Sequence, residues 1–209
     1  MSRRSNPYKR KAGQRPLRKI LIVCEGEKTE KFYFEAFETN KNLVKVEVLG
    51  TGRGKDSLVE YAIELKNSAE AKNEKYAEAW CVFDRDVYPV DSRDKHKFNR
   101  AIARAASNQV KTAYSNDAFE IWYILHFEYF HSGLSRDLYE RKLTKSLGFK
   151  YKKEAHGMYR ALKDKQKTAI KNAKKLLGSY PKHNPESDNP CTTVHKLVEY
   201  LKDYLTDEQ

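Results

Sequence analysis

The sequence feature that most constrains the fold is the apolar run Ile20–Cys24, ILIVC, which leads directly into the acidic stretch EGEKTE. Five consecutive apolar residues do not alternate with polar ones, so they predict a strand that is buried on both faces. Burial by itself gives no reason for three carboxylates to follow such a strand. The stretch therefore indicates a functional site at the end of a buried strand.

Strand-like and helix-like segments alternate along the first 130 residues, which predicts an α/β fold with helices on both faces of a sheet. Strands are predicted at 17–24, 43–49, 78–84 and 110–115, and helices from Glu30 and over 56–73, 93–107 and 117–127. We therefore expect a four-stranded, mostly parallel sheet. Thr29 is expected to cap the first helix, and Ser115 with Asn116 to cap the fourth or to orient a phosphate.

From residue 135 onward every periodic segment is helical, at 135–147, 157–178 and 191–205. The chain is accordingly predicted to have three parts. Residues 1–16 form a basic, flexible arm, residues 17–130 an α/β core, and residues 131–209 a helical annex that packs on the core.

Acidic residues end two of the predicted strands. Glu25 follows the first strand, and Asp84 and Asp86 end the third as FDRD. Chemistry in open α/β sheets collects at the carboxyl ends of strands, so these carboxylates converge if the two strands are neighbours. Converging carboxylates need a cation or a raised pKa, and oxygen ligands favour Mg²⁺ or Mn²⁺ over zinc. Either motif by itself is more often a turn than a site, so the prediction depends on both.

Positive charge is concentrated in two segments of this chain. Residues 1–19 contain eight Lys/Arg and no acid, and residues 141–182 contain fourteen Lys/Arg and two acids. Such segments attract polyanions. The predicted phosphate contacts are Arg3, Arg4, Arg10 and Lys11 in the arm and Lys152 and Lys153 in the second segment. A solvated lysine-rich helix is the alternative interpretation of the second segment.

The glycine-rich turn GTGRGKDS does not have the spacing of a P-loop. Three residues separate Gly50 from Gly54, and Asp56 stands where a P-loop has Ser or Thr. The sequence therefore predicts no ATPase in this chain. Arg53 and Lys55 stay candidates for binding phosphate, with an ordinary surface turn as the alternative.

The composition of the chain favours a cytoplasmic protein over a membrane or secreted one. No apolar run approaches the roughly 18 residues that cross a bilayer, and the basic N-terminal segment has no apolar region behind it, so we expect neither a membrane span nor a secretory signal. The three cysteines include no C-x-x-C, which favours a reduced, cytoplasmic setting. The six histidines show no ligand spacing. His126 is predicted to be a core or helix-end residue and His195 to lie on a helix surface.

Four segments, in order along nearly the whole chain, resemble the RloB family, also called RloB/AbiLii-like: LIVCEGEKTEKFYF, FDRD, SNDAFEIWYILHF and NPCTTVHKLVEYL. A strand ending in Glu-Gly followed by a strand ending in Asp-x-Asp is similar to the Toprim domain of topoisomerases, primases and OLD-family nucleases. The resemblance implies a Toprim-like fold with Mg²⁺ or Mn²⁺ as cofactor. It also implies a separate ATPase as partner, because RloB-like proteins resemble one component of defence modules whose other component is an ATPase.

The resemblance also implies roles for individual residues. Glu25 matches the Toprim glutamate, which is a general acid/base or a metal ligand, and Asp84 and Asp86 match the metal-binding aspartates. Glu30 resembles the second glutamate of OLD-type sites. It stands one residue further along than the usual E-G-x-x-E spacing, so Glu27 competes for that role.

Glu120, in SNDAFEIWYILHF, is the third catalytic candidate because it lies on an otherwise apolar predicted helix. The alternative is a partly exposed helix glutamate. No segment marks any of the 14 tyrosines as a topoisomerase nucleophile, so hydrolysis is favoured over strand passage.

The leading hypothesis is a Mg²⁺-dependent Toprim-type nuclease that hydrolyses phosphodiester bonds of RNA, such as tRNA, or of DNA, as an effector of antiphage or abortive-infection defence. One alternative is a non-catalytic, nucleic-acid-binding or regulatory subunit of such a module. Another is a housekeeping enzyme that processes stable RNA. The choice between RNA and DNA, the number of metal ions and the oligomeric state stay open at this level.

Overall fold

The computed structural model describes residues 17–85, 97–134 and 136–205 of the 209-residue chain. The strands are β1 (Arg18–Cys24), β2 (Val44–Gly50), β3 (Glu78–Asp84), β4 (Lys111–Asn116) and β5 (Cys191–Thr192). The helices are α1 (Thr29–Glu35), α2 (Lys55–Ala71), α3 (Lys97–Ser107), α4 (Glu120–Ile124), α5 (Arg136–Leu147), α6 (Met158–Leu162), α7 (Gln166–Gly178) and α8 (Val194–Lys202). A 3-10 turn at Lys163–Lys165 joins α6 to α7. None of the described helices is long and apolar enough to cross a membrane.

The strands form one mixed sheet in the order β2-β1-β3-β4-β5. Strands β1 to β4 pair in parallel, which confirms the predicted α/β class and the mostly parallel sheet. The prediction of four strands was short by one, because β5 pairs antiparallel to the end of β4. This strand falls within the helix predicted at 191–205. Two residues are too few to produce a period of two, and their pairing with β4 is a tertiary contact.

The unbroken apolar run of β1 is explained by two separate cores. Ile20, Ile22 and Cys24 belong to the hydrophobic cluster on one face of the sheet, and Leu21 and Val23 belong to the cluster on the other face. Helices α2 and α3 cover the second face, while α1 and α4 to α8 contribute to the first. A strand in this position has no wet side, so alternation is absent from its sequence.

Several predicted helices are shorter than the pattern suggested. The helix predicted at 117–127 is regular only over α4, and the helix predicted at 157–178 is interrupted by the 3-10 turn. The first four residues of the helix predicted at 93–107 lie outside the described part of the chain, as does the arm predicted at 1–16. Helix ends depend on local hydrogen bonds, which a hydrophobic period does not encode.

The predicted caps are wrong. Helix α1 begins at Thr29, and the hydroxyl of Thr29 donates a hydrogen bond to the carbonyl oxygen of Lys153 at 2.9 Å instead of capping. The Ser115 hydroxyl lies 3.1 Å from the Thr192 hydroxyl, and the Asn116 amide donates to the carbonyl oxygen of Pro185 at 3.2 Å. All three side chains therefore bind segments that are distant in sequence.

One of the two histidine predictions is confirmed. His126 is 1% exposed, and its Nδ1 lies 2.9 Å from the carbonyl oxygen of Trp122. His195, predicted on a helix surface, is 2% exposed, and burial lowers its pKa to about 4. The prediction for His195 was wrong because five of the nine residues of α8, His195 among them, are buried.

The C-terminal helices share a core with the sheet, so a cavity in them should destabilise the whole protein. Leu197 on α8 is fully buried in the cluster that contains Ile20. We expect Leu197→Ala to lower the free energy of unfolding by about 2–5 kcal/mol in urea denaturation. Leu138→Ala on α5 is the control, because Leu138 is 44% exposed and should change stability by less than about 0.5 kcal/mol. Equal effects of the two substitutions would contradict this packing.

Candidate active site

A pocket of about 200 Å³ lies at the carboxyl ends of β1 and β3. Four carboxylates line it, from Glu25, Glu30, Asp84 and Glu120, together with the side chain of Lys153. Since β1 and β3 are adjacent parallel strands, the residues that end them reach the same edge of the sheet. The structure thus brings together the carboxylates that the sequence placed on separate segments.

Glu25 is held beside Asp84 by the backbone. The Asp84 N–H donates a hydrogen bond to Oε2 of Glu25 at 3.1 Å, and Glu25's own N–H donates to the carbonyl oxygen of Val82 at 2.8 Å. On its other side, Nζ of Lys55 lies 3.2 Å from Oε1 of Glu25. The Glu25 side chain is still 19% exposed, so it faces the pocket rather than the core.

Asp84 carries the most unfavourable charge in the pocket. Its Oδ2 accepts a hydrogen bond from the Phe119 N–H at 3.0 Å. Its Oδ1 is buried and has no hydrogen-bond partner among the described residues. Burial raises the pKa of Asp84 well above its ordinary value, and the carboxylates of Glu30, Glu120 and Glu25 raise it further. The surroundings of Asp84 therefore favour its neutral, protonated form, and a cation bound at Oδ1 would stabilise the charged form instead.

Glu30 approaches the backbone closely because residue 26 is glycine. A Cβ at position 26 would lie 2.1 Å from Oε2 of Glu30, so the Glu30 carboxylate would have to move away from its present position. Glu30 is 6% exposed, and burial raises its pKa to about 7, with the neighbouring Glu120 and Glu25 also raising it and Lys153 opposing. Of the two competing glutamates, Glu30 lines the pocket, whereas Glu27 is exposed and lies near Gly52.

Glu120, the first residue of α4, is 5% exposed, so the alternative of a partly exposed helix glutamate is wrong. Its Oε1 accepts a hydrogen bond from the Tyr151 hydroxyl at 3.0 Å. Tyr151 is 3% exposed, and burial together with the Glu120 carboxylate raises its pKa. The phenol therefore stays protonated and holds the carboxylate in one orientation.

Lys153 reaches the pocket from the C-terminal part of the chain. Its segment is attached to α1 by three contacts: the Thr29 hydroxyl to the Lys153 carbonyl, the Lys28–Glu154 ion pair, and the stacked rings of Phe32 and His156. The ring centroids of that stack are 3.7 Å apart. These contacts keep an amine beside four carboxylates that would otherwise repel one another.

The chemical type of the donors in the pocket, carboxylate oxygen, suits a hard divalent cation. Carboxylate oxygens are the ligands that Mg²⁺ and Mn²⁺ prefer, and both the buried Oδ1 of Asp84 and the raised pKa of Glu30 are features that a cation would relieve. Among the residues that the structure describes, no three His, Cys, Asp or Glu side chains lie close enough to one another to hold a metal ion. Asp86, the third predicted ligand, lies outside the described residues.

The other predicted phosphate contacts are placed differently. Lys55 is paired with Glu25 at the pocket edge, and the guanidinium of Arg53 lies 4.4 Å from the ring centroid of Tyr61. Lys152 is exposed beside Lys153. The four basic residues predicted in the arm, Arg3, Arg4, Arg10 and Lys11, lie outside the described residues.

A family model for RloB-like protein matches residues 20–201 of the chain. The chain belongs to the RloB-like family. The match runs from β1 into α8 and therefore includes every described residue of the pocket. Searches of the curated proteins and of the solved structures found no match.

Sequence reasoning missed two contributors to this RloB-like pocket. Tyr151 lies in a lysine-rich stretch 31 residues after Glu120, and nothing in its surroundings marks it as a partner of a carboxylate. Gly26 was read only as part of a Glu-Gly turn. A signal for its role was present, since a glycine directly after a strand often marks a close approach of another group to the backbone.

The raised pKa of Glu30 makes the metal-free protein less stable as the pH rises. Between the ordinary value of 4.5 and the folded value of about 7, the folded state binds more protons than the unfolded state, so stability falls with pH over this window. We expect Glu30→Gln to reduce this fall and to raise the melting temperature near pH 8 in the presence of EDTA. The two proteins should differ little near pH 4.5.

Thermal unfolding followed by circular dichroism over this pH range measures the effect. Glu27→Gln is the matched control, since Glu27 is an exposed glutamate three positions away that does not line the pocket. If the melting temperature of Glu30→Gln changes with pH in the same way as that of the unmodified protein, Glu30 is not the cause of the loss of stability at high pH.

Proposed function

We propose that this RloB-like protein is a cytoplasmic, Toprim-type nuclease that uses Mg²⁺ or Mn²⁺ to hydrolyse phosphodiester bonds in RNA, such as tRNA, or in DNA. The observation that carries the proposal is the convergence of Glu25, Glu30, Asp84 and Glu120 in one pocket at the ends of β1, β3 and the β4–α4 connection. Lys153 adds a positive group to the same pocket. An acidic centre with adjacent amines suits the cutting of a polyanion, because the amines bind phosphate and the carboxylates hold the reactive ion.

Glu25, Asp84 and Asp86 are the residues that would hold the metal. A bound Mg²⁺ or Mn²⁺ would supply a water of lowered pKa and would neutralise charge on the phosphate. Glu30 is suited to hold or release a proton at its carboxyl group, because a pKa of about 7 lies near the working pH of a cytoplasmic enzyme. Lys153, which lines the pocket, would bind a non-bridging phosphate oxygen of the substrate.

The proposal extends to a defence role. The resemblance to RloB/AbiLii-like proteins supports an effector of antiphage or abortive-infection defence, acting with a separate ATPase. The absence of P-loop spacing in GTGRGKDS supports the assignment of ATP hydrolysis to that partner. An effector of this type is expected to be held inactive until the partner releases it, so assays should include the partner as well as the isolated chain.

The alternative function is a non-catalytic, nucleic-acid-binding or regulatory subunit. One observation favours it: among the described residues, the pocket carboxylates do not stand close enough together to hold a metal ion. In that case the protein would bind nucleic acid through its basic segment with a strong dependence on salt, and cleavage would be absent with and without the ATPase.

Cleavage of tRNA and plasmid DNA in the presence of Mn²⁺ tests the nuclease proposal. We expect Asp84→Asn to lower the cleavage rate about 100-fold or more, because a ligand that supports several kcal/mol of transition-state stabilisation is lost. The variant should be at least as stable as the unmodified protein without metal, since it removes a buried charge. Glu27→Gln should keep full activity. Cleavage that survives Asp84→Asn would exclude this centre as its source.

Metal binding can be measured independently of cleavage. We expect Mn²⁺ to raise the melting temperature, since a ligand present at 100 times its Kd stabilises by about 2.7 kcal/mol. The shift should disappear in Asp84→Asn and persist in Glu27→Gln. Metal binding without cleavage, in the presence of the ATPase, would favour the non-catalytic subunit. If Mn²⁺ raised the melting temperature of the unmodified protein, Asp84→Asn and Glu27→Gln equally, the ion would bind outside this pocket.

A further inference from the structure

A cluster of paired aromatic and basic side chains follows α4 on the surface of the protein. Each of three aromatic rings has the ammonium group of a different lysine over its face: Lys165 over Phe127 at 4.2 Å, Lys175 over Tyr129 at 4.0 Å, and Lys142 over Phe130 at 4.8 Å from the ring centroid. We call these six residues the aromatic–lysine surface. The rings belong to one short stretch, FEYFH, whereas the lysines come from α5, the 3-10 turn and α7.

Each of the three rings is partly exposed, and Tyr129 also stacks on the ring of His131, with the centroids 5.5 Å apart. Phe127, Tyr129 and Phe130 are partly buried and pack against the hydrophobic cluster that contains the sheet. Their outer faces meet lysines, of which Lys165 and Lys175 are exposed. Lys142 is also paired with Glu128 at 2.7 Å. The rings are thus packed against the core, while the groups over their faces are the long side chains of lysines.

The aromatic–lysine surface is linked directly to the candidate active site. Helix α4 begins with Glu120 in the pocket, and backbone hydrogen bonds continue its helical turns to Phe127. At a rise of 1.5 Å per residue, Phe127 lies about 10 Å along the chain direction from Glu120. The Asn172 amide donates to the carbonyl oxygen of Leu125 at 2.9 Å, which attaches α7 and its lysines to the end of this turn.

We propose that the aromatic–lysine surface binds unpaired nucleotides, so that the nucleic acid taken by this site is single-stranded where it contacts the protein. Rigid rings offer stacking platforms to bases, and the lysines can swing from the ring faces to the phosphates. Bases within a duplex are already stacked and cannot lie on such rings. This inference rests on the proposed function in taking nucleic acid as the ligand, and it adds the strand state of the substrate.

The competing interpretation is that the lysine stems only cover apolar surface. Lysines often lay their methylene groups over aromatic rings while the ammonium group stays in water. In that case the surface would bind a polyanion through charge, and duplexes of the same length would bind as well as single strands. The two interpretations differ in one measurable quantity, the dependence of affinity on the rings themselves.

Fluorescence anisotropy with labelled oligonucleotides of about 12 residues tests the proposal. The probes are oligo-U, oligo-dT and a duplex of equal length, measured with EDTA so that no cleavage occurs. We expect both single strands to bind more tightly than the duplex. Equal or tighter binding of the duplex would overturn the proposal.

Two variants assign the binding to this surface. Tyr129→Leu keeps an apolar side chain but removes the stacking ring, and we expect a loss of about 5- to 150-fold in single-strand affinity, the equivalent of 1–3 kcal/mol for one stacked base. The double variant Lys165→Gln/Lys175→Gln removes two exposed positive charges. Each lost phosphate contact should make the slope of log affinity against log salt concentration shallower by about 0.7, so we expect a total change of about 1.4. Single-strand affinities unchanged in both variants would overturn the proposal.

The control is Lys111→Gln. The Lys111 ammonium also lies over aromatic rings, 5.4 Å from the centroid of Trp80 and 5.3 Å from that of Tyr200, but it sits at the amino end of β4, away from the pocket. We expect Lys111→Gln to leave the affinity for single strands unchanged. A loss of affinity equal to that of the double lysine variant would overturn the proposal, because it would show that binding depends on total charge and not on this surface. Asp84→Asn separates this proposal from the nuclease proposal, because it should keep single-strand binding while losing cleavage.

Discussion

The parallel pairing of β1 with β3 is the interaction on which the rest of this structure depends. It places Cys24 opposite Val82, so that Glu25 and Asp84 emerge at one edge of the sheet and the Asp84 N–H reaches the Glu25 carboxylate. A strand order in which β1 and β3 were not neighbours would separate the two acids. The sheet is also the cause of the unfavourable electrostatics in the pocket, because a strand buried on both faces delivers its terminal carboxylate to a site where little water can solvate it.

The C-terminal half of the chain completes the pocket that the sheet begins. Tyr151 orients the Glu120 carboxylate, and Lys153 provides positive charge beside Glu30. Both depend on the contacts that attach their segment to α1 and on the shared core beneath α5 to α8. The stability of the core and the geometry of the candidate active site are therefore linked, because the connection between α5 and α6, two helices that pack on one face of the sheet, carries Tyr151 and Lys153 to its acidic end.

The fold was largely predictable because its signals are local and repeated. Buried strands appear as apolar runs, and the alternation with helices specifies a mostly parallel sheet, so β3 was predicted with its observed ends at 78 and 84. The failures share one cause. The strand β5, the hydroxyl of Thr29 and the burial of His195 all depend on contacts with residues far away in sequence, and none of these contacts leaves a periodic trace.

For the candidate site, the sequence by itself determined which strands end in acids and in what order, since that information lies in Glu25 and Asp84 and their apolar neighbours. Only the tertiary structure places Glu30 rather than Glu27 in the pocket, buries Glu120, and brings Tyr151 and Lys153 to these carboxylates. The physical reason is that a carboxylate's protonation and orientation are set by burial and by the charges around it. Those surroundings are assembled from segments that are separated by tens of residues and meet only after folding.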